Sequence, residues 1–575
     1  MKIKVSDYLV NYMICQGVTD VFGYPGGMVT QLMDSLGKNK DRIKTHITYH
    51  EQAASFAACG YAQASGRVGV AFSTSGPGAT NLITGIGNAF YDSIPVVFIT
   101  GQVNTFESKK GTGIRQKGFQ ETDIVSMVKS ITKAAFYIDD PNNAVDMIEA
   151  AFRIANEDRK GPVLIDIPMN IFKTEIEEEK YSICETEKTT DYTTVYDDLT
   201  KELSQVLKTK KRPCLLIGNG IKICRQTEAL RGILRSCPMP VVSSMIAVDV
   251  IPEGQGLEGL YYGFVGAYGN RTANFVVAKS DLLICLGSRL DVRQVGGKRE
   301  QFAPNATIIR IDIDENELEN VIRKEEKQFI IPLDLAIAII RKSFSSVNRY
   351  EEWIQTCKEI KNQVKYIDEK EPNRFINEIS KIIPDGYNVS VDVGQNMVWV
   401  AQSYKFKPAQ SAFFSGGMGS MGYALPAAIG IYYATHKPVI CFVGDGGLQM
   451  NIQEMQLLVR DNIPIKIIVV NNKSLGMIRH FQEMYFEGDY QFTVEEKGYS
   501  VPDFVKVAEA YGIVSRKISN MDELKKLEIR YERPELIELL FEDNTVISPK
   551  LEFGKPNQDQ EPLLDRSLYN YLMEL

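Results

Sequence analysis

The sequence of 575 residues predicts three doubly wound α/β domains, each built on a parallel sheet. Three observations carry that expectation. Short runs rich in Val, Ile and Leu recur along the chain, as parallel strands buried on both faces require. Amphipathic helical stretches alternate with them, the order that crossover connections impose. Two charged stretches divide the alternation into blocks of ordinary domain size. The composition, 44% hydrophobic and 24% charged, suits a globular protein with sizeable cores.

The strand runs of the first block (residues 1–180) include VGVAF at 68–72, PVVFIT at 95–100 and VLIDI at 163–167. The stretch EIEEEKYSICETEKTTD at 175–191 is charged and aperiodic and reads as a linker. The second block (190–345) carries CLLIG at 214–218, DLLICLG at 281–287 and IIRIDID at 308–314. A charged, helical-looking break runs from Ser345 to Asn373. The third block (370–550) holds VSVDV at 389–393, VICFV at 439–443 and IKIIVV at 465–470. Residues 551–575 form a polar tail with prolines. The first and third blocks both read as plain α/β layers, as a duplication would leave them.

Several function classes fall away. Net charge is −8 and no basic cluster is present, which argues against nucleic acid or an anionic membrane as a partner. No apolar run approaches the ~20 residues that span a bilayer. The start, MKIKVSDYLVNYMICQGV, lacks a signal-peptide core. Nine scattered cysteines without a CxxC pair read as buried free thiols of a cytoplasmic protein. The four histidines form no zinc cluster with cysteine. No GxSxG elbow marks a hydrolase, and no GxGxxG opening a helix marks a dehydrogenase.

Chemistry concentrates in the third block. VICFV ends at Gly444-Asp445-Gly446-Gly447, and IKIIVV ends at Asn471-Asn472. Ligands of parallel α/β sheets bind beyond the carboxyl ends of the strands. If these two strands are neighbours, Asp445 and Asn472 meet there. A carboxylate and an amide carbonyl are hard oxygen donors, suited to Mg²⁺ or Ca²⁺. A helix expected over Leu448–Leu458 would add free amides for a phosphate. Alone, either motif reads as a turn closing a strand. Together they fit a Mg²⁺-bridged diphosphate anchor.

Further segments share one pattern: GYPGGMVTQLMDSL (23–36), YHEQAASFAACGYAQASG (49–66), TSGPGATNLITGI (74–86) and GFQETDIV (118–125). GSRLDVRQVGGK (287–298), IDIDENEL (311–318), VDVGQNMVWVAQ (391–402) and SGGMGSMGYALPAAIG (415–430) continue it. In kind and order they resemble the thiamine diphosphate-dependent acetolactate synthase large-subunit family. The resemblance implies a pyrimidine-binding domain at 1–180, a central FAD-type domain at 190–345 and a diphosphate/Mg²⁺-binding domain at 370–550. Glu51 takes the place of the carboxyl that engages thiamine N1′. Gln120 matches a glutamine near the reacting carbons, and Arg293 an arginine facing the acceptor, whose fork suits a carboxylate. His50 reads as structural. Asp445 and Asn472 match side-chain ligands of Mg²⁺, and Ser474 a backbone ligand. Pro25, Gly26 and Gly78 match the pyrimidine side of the cofactor site. Gln395, Gly419, Met421 and Met477, with Gly444, Gly446 and Gly447, match its other side, Met421 propping the bent cofactor. Gly218, Gly220, Arg289, Asp312 and Asp314 match positions around a largely non-redox FAD.

Met169, Met28, Phe481 and Val292 depart from the biosynthetic acetolactate synthase pattern, all around the acceptor channel. The expected activity is decarboxylation of pyruvate and transfer of its two-carbon unit to a ketone, foremost a second pyruvate, giving 2-acetolactate. Transfer to a nucleotide-linked keto sugar and simple 2-keto acid decarboxylation are the alternatives; Arg293 and the flavin elements speak against the latter. Intact Glu51, Asp445 and Asn472 speak against a non-catalytic paralogue. The resemblance further implies a homo-oligomer with active sites at a dimer interface and room for a small regulatory subunit.

Overall fold

The computed structural model describes residues 2–177, 190–344, 350–529 and 532–575. The centre of the charged linker and residues 345–349 of the second break lie outside the described residues. Three six-stranded sheets, parallel throughout, carry the three α/β domains. The expected strand runs all appear, shifted by a residue or two at their ends: Gly69–Ser73, Val96–Gln102 and Val163–Pro168, for example, lie side by side in the first sheet.

The first and last sheets share one strand order. Numbered within each sheet by position in the chain, both run 2-1-3-4-6-5. The middle sheet instead runs 3-2-1-4-5-6, the order of dinucleotide-binding sheets. In each sheet the order reverses beside strand 1, which opens a crevice at the carboxyl ends of two neighbouring strands. In the first sheet those strands are Asp20–Gly23 and Gly69–Ser73, and in the last they are Asn388–Val391 and Val439–Gly444. In the middle sheet they are Pro213–Ile217 and Leu282–Leu286.

The first and last domains share one apolar core. Helix Glu51–Ser65 crosses helix Ala424–Thr435 at backbone contact. A Cβ on Gly60 would lie 2.3 Å from the Ala427 carbonyl oxygen, and one on Gly430 would lie 1.9 Å from that of Ala57. The two glycines therefore set the close approach of these helices, and with it the position of Glu51 against the last domain.

Two local expectations change. The helix expected over Leu448–Leu458 begins at Asp445 and ends at Met450; Ile452–Glu454 is a 3₁₀ turn, and Met455–Arg460 is a second helix. The glycines concealed the first start, and Asn451, at φ −135°, breaks the run. The charged break after residue 349 is helical, as its sequence suggested, with helices Glu351–Val364 and Glu371–Ile382. The polar tail ends in helix Arg566–Glu574, whose Leu572 packs with Leu564 against Phe275, Ile360 and Val364.

Candidate active site

Half of the candidate site forms at the crevice of the first sheet. Glu51 opens its helix as the first residue after the cap His50, whose Nδ1 accepts from the Gln52 amide. Its Oε2 accepts from Asn81 Nδ2 at 2.9 Å, and a Cβ on Gly78 would lie 3.1 Å from its Oε1. A side chain at Gly78 would thus displace the carboxyl. Gln120, at φ +65°, packs against the same turn from a separate loop, where a Cβ on Gly76 would lie 3.0 Å from its own. Gly26, next to Pro25, packs on Thr74, which a Cβ would approach to 2.4 Å. The first domain so gathers Pro25, Gly26, Glu51, Gly78 and Gln120 beyond its strand ends.

The Gln120 loop is held from behind. Glu121 accepts from the amides of Lys109, Lys117 and Gly118 and from Ser108 Oγ. Burial opposes ionisation there, but these donors hold its carboxyl below the usual range.

The other half forms at the carboxyl ends of the last sheet's strands. The strands ending at Gly444 and Asn471 are adjacent and parallel, as the motif reading requires. Asp445 Oδ1 accepts from Gly446 N at 2.8 Å, and Oδ2 from Ser474 N at 3.2 Å. Asn472 spends both amide hydrogens, on Gln395 Oε1 at 2.8 Å and Thr545 Oγ1 at 2.9 Å, which turns its carbonyl oxygen into the free end. Burial pushes the Asp445 carboxyl up to about 6, and it lifts the neighbouring Tyr499 hydroxyl as well. The Ser474 hydroxyl is buried without a hydrogen-bond partner among the described residues, and the Tyr499 hydroxyl lies against Asp445. A divalent cation and a diphosphate would supply what this cluster lacks, charge against Asp445 and an acceptor for the Ser474 hydroxyl. Among the described residues no three His, Cys, Asp or Glu side chains cluster as a metal site. A cation here would therefore take one carboxylate and neutral oxygens, with its ligand's phosphates completing the shell, as Mg²⁺ does.

The glycines of this half are needed for contact. A Cβ on Gly446 would lie 3.1 Å from Met421 Cε, one on Gly447 2.8 Å from Asp392 Oδ1, and one on Gly476 2.0 Å from Gln395 Oε1. Gly419 is left-handed, at φ +68°. Met477 follows Gly476 in the first turn of its helix and packs against the last domain's core.

Asp392, which the sequence reading left without a role, organises this half. Its carboxylate accepts from the amides of Val393, Gly422 and Ala424 and pins the turn after Met421. Burial raises it to about 7. Its signal was available: it ends a buried strand run, as Asp445 nearly does.

A cavity of about 770 Å³ opens at the crevice of the middle sheet. A Cβ on Gly218 would lie 2.0 Å from the Gly287 carbonyl oxygen, and one on Gly220 2.8 Å from Gly287 Cα. These glycines bring the two strand-end turns together under the cavity. Arg289, Arg293 and Asp312 line it. Arg293 lies over the Tyr268 ring at 5.5 Å, and Arg289 pairs with Asp291 at 2.9 Å. Burial raises the Asp312 carboxyl. Asp314 is placed differently from the expectation. Its Oδ2 pairs with Arg159 of the first domain at 2.8 Å, and its Oδ1 caps the following turn through Asn316 N. The structure spends it on an interdomain clasp. Asp92, also missed, projects from the first domain and accepts from Gly416 N at 2.9 Å and Gly417 N at 2.7 Å, on the loop that leads to Gly419 and Met421.

Three family models match the chain in the order of its sheets. Residues 3–127 match the N-terminal TPP binding domain of thiamine pyrophosphate enzymes, 200–331 the central domain and 392–538 the C-terminal TPP binding domain. A probable acetolactate synthase large subunit of Methanocaldococcus jannaschii is 36% identical, over 91% of this chain and 89% of the relative. The chain belongs to the acetolactate synthase large-subunit family of thiamine diphosphate enzymes. The acetolactate synthase large subunit of Lactococcus lactis is 35% identical, over 94% of this chain and 92% of its own. That of isozyme 2 of Escherichia coli is 33% identical, over 90% and 92%. As a member of this thiamine diphosphate family the chain is an enzyme of the transferase/lyase type, and the two TPP-binding matches cover both half-sites described above. Among the described residues no helix is long and apolar enough to cross a membrane.

Proposed function

We propose that the enzyme removes carbon dioxide from one pyruvate and joins the remaining two-carbon unit to the keto carbon of a second, giving 2-acetolactate. Two pyruvate anions and one proton yield one acetolactate anion and one carbon dioxide. The observation that carries the reading is the meeting of Asp445, Asn472 and Ser474 at two adjacent strand ends, in a chain whose relatives are named acetolactate synthases. Thiamine diphosphate, when bound, supplies a nucleophilic carbon able to carry the two-carbon unit and a ring nitrogen, N1′, able to exchange a proton with a carboxyl. The Asp445 carboxylate, the Asn472 carbonyl and the Ser474 backbone oxygen would hold Mg²⁺ beside the diphosphate. Met421 and the Gly419 turn would support the cofactor. Glu51 would hold the proton at N1′, and Asn81 fixes the rotamer from which it would do so. Gln120 would face the reacting carbons, and the Arg293 guanidinium would orient the acceptor carboxylate.

The Glu51 carboxyl and the Asp445 cluster sit on different domains, and no hydrogen bond joins them among the described residues. Large apolar side chains are exposed on both domains, Phe119 (80%) next to Gln120 and Phe486 (58%) just past the Gly476–Tyr485 helix. Both features support a homo-oligomer in which a second copy completes each site. The relatives' names as large subunits support a smaller partner chain. Free cysteines throughout the described residues support a cytoplasmic setting.

FAD fits the middle cavity, on the strand order and the Gly218–Gly287 crevice. The purified enzyme is expected to take up FAD stoichiometrically, read by absorbance and calorimetry, and to turn over without net flavin reduction. No FAD uptake refutes the assignment, and a stoichiometric need for an electron acceptor refutes the redox-silent role.

Phe481 stands half-exposed against Tyr485 at 4.7 Å, where biosynthetic relatives of the resemblance carry tryptophan. Pocket discrimination by one methylene is worth only ~1–3 kcal/mol. With the tryptophan absent, competition between pyruvate and 2-ketobutyrate, read by mass spectrometry, is expected to give a ratio of about one, within the reach of that small term. A strong 2-ketobutyrate preference contradicts this.

A further inference from the structure

Directly after the Asp445–Met450 helix, the chain doubles back onto the segment that carries Glu51. Asn451 Nδ2 donates to the Gly422 carbonyl at 2.9 Å and to Gln52 Oε1 at 3.2 Å. Glu454, fully buried, takes the Tyr49 amide on both carboxylate oxygens, at 2.9 and 3.2 Å, and the His50 amide also donates to it. Tyr49 and His50 are the two residues before the Glu51 helix, and His50 is its cap.

We propose that Glu454 is a positioning residue for Glu51. The proposal rests on the reading of Glu51 as the carboxyl at N1′. Glu454 fixes the backbone from which Glu51 projects, while Asn81 and Gly78 fix the side chain itself. Charge-assisted bonds to backbone amides are short and directional, so they set the roll of the first helical turn. A serine or asparagine could hold that turn without burying a charge. This chain buries a carboxyl with no ion-pair partner among the described residues, and burial lifts it to about 7. The nearest guanidinium, Arg460, is turned to Asp461, the Tyr49 ring and the Ile47 carbonyl. Desolvation on that scale is the cost of holding two adjacent amides at once. The donors lie 405 residues away in the chain, on another domain, so the clamp also ties the start of the Glu51 helix to the domain that anchors the diphosphate.

The test is a double-mutant cycle on the full-length enzyme, combining Glu454→Leu with Glu51→Gln. Two quantities are read: the affinity for thiamine diphosphate with Mg²⁺, and hydrogen exchange at C2 of the bound cofactor. Misplacing a catalytic group by about 1 Å costs up to ~100-fold, so Glu454→Leu is expected to slow exchange by about 10- to 100-fold. Cofactor affinity is expected to stay near the parent value, because Asp445 and Asn472 are untouched. In the Glu51→Gln background, Glu454→Leu is expected to cost nothing further, since its effect passes through Glu51. Glu454→Gln keeps an acceptor for the Tyr49 amide and is expected to recover most of the rate. If the leucine variant does not fold, Glu454→Asp, too short to reach both amides, takes its place in the cycle. An equal loss in both backgrounds, or unchanged exchange in Glu454→Leu, overturns the proposal. Unchanged exchange in Glu51→Gln alone overturns the reading on which it rests.

Discussion

Glu51→Gln is expected to bind thiamine diphosphate and Mg²⁺ normally and to exchange the C2 hydrogen ~2 to 4 orders of magnitude more slowly, the usual worth of acid–base assistance. The amide is nearly isosteric and can still accept from Asn81, so the first turn of the helix keeps its geometry. What it loses is the exchangeable proton at N1′. Because the diphosphate anchor lies on another domain, binding and activation separate in this variant. C2 exchange measured by NMR after acid quench checks the result, and a near-normal rate in folded protein removes Glu51 from the mechanism.

Asp445→Ala is expected to abolish Mg²⁺-dependent cofactor binding. Even outer-shell partners of metal sites are worth ~10–100-fold in affinity, and Asp445 is proposed as a direct, charged ligand. The same change strips acceptors from the Gly446 and Ser474 amides, at ~1–3 kcal/mol for each buried group left unpaired. Asp445→Asn is the control, since it keeps an acceptor and removes the charge. It is expected to fold like the parent and still bind weakly. Titration by intrinsic fluorescence reads both variants, and unchanged affinity in either moves the metal elsewhere.

The sequence made the strands readable because strands buried on both faces must be continuously apolar, and VICFV and IKIIVV have no other use for such runs. It made the Asp445–Asn472 pairing readable because parallel neighbours end at the same edge. The start of the helix at Asp445 was hidden, since three of its flanking positions are glycines that carry no helical signal. The C-terminal helix was hidden because it buries few apolar side chains, with Leu572 the main one. Asp92, Asp392 and Glu454 escaped for another reason. Each acts through partners on distant segments, as Asp92 does on Gly416, 324 residues away. Local pattern marks which residues are acidic, and only the fold tells which amides they face.

Product analysis tests the central claim most directly. The enzyme is incubated with pyruvate, thiamine diphosphate and Mg²⁺, and products are identified by mass spectrometry. Carboligation predicts one 2-acetolactate for each carbon dioxide released, with two pyruvates consumed. Acetaldehyde in place of acetolactate, or no carbon dioxide release by folded, cofactor-loaded enzyme, would contradict it.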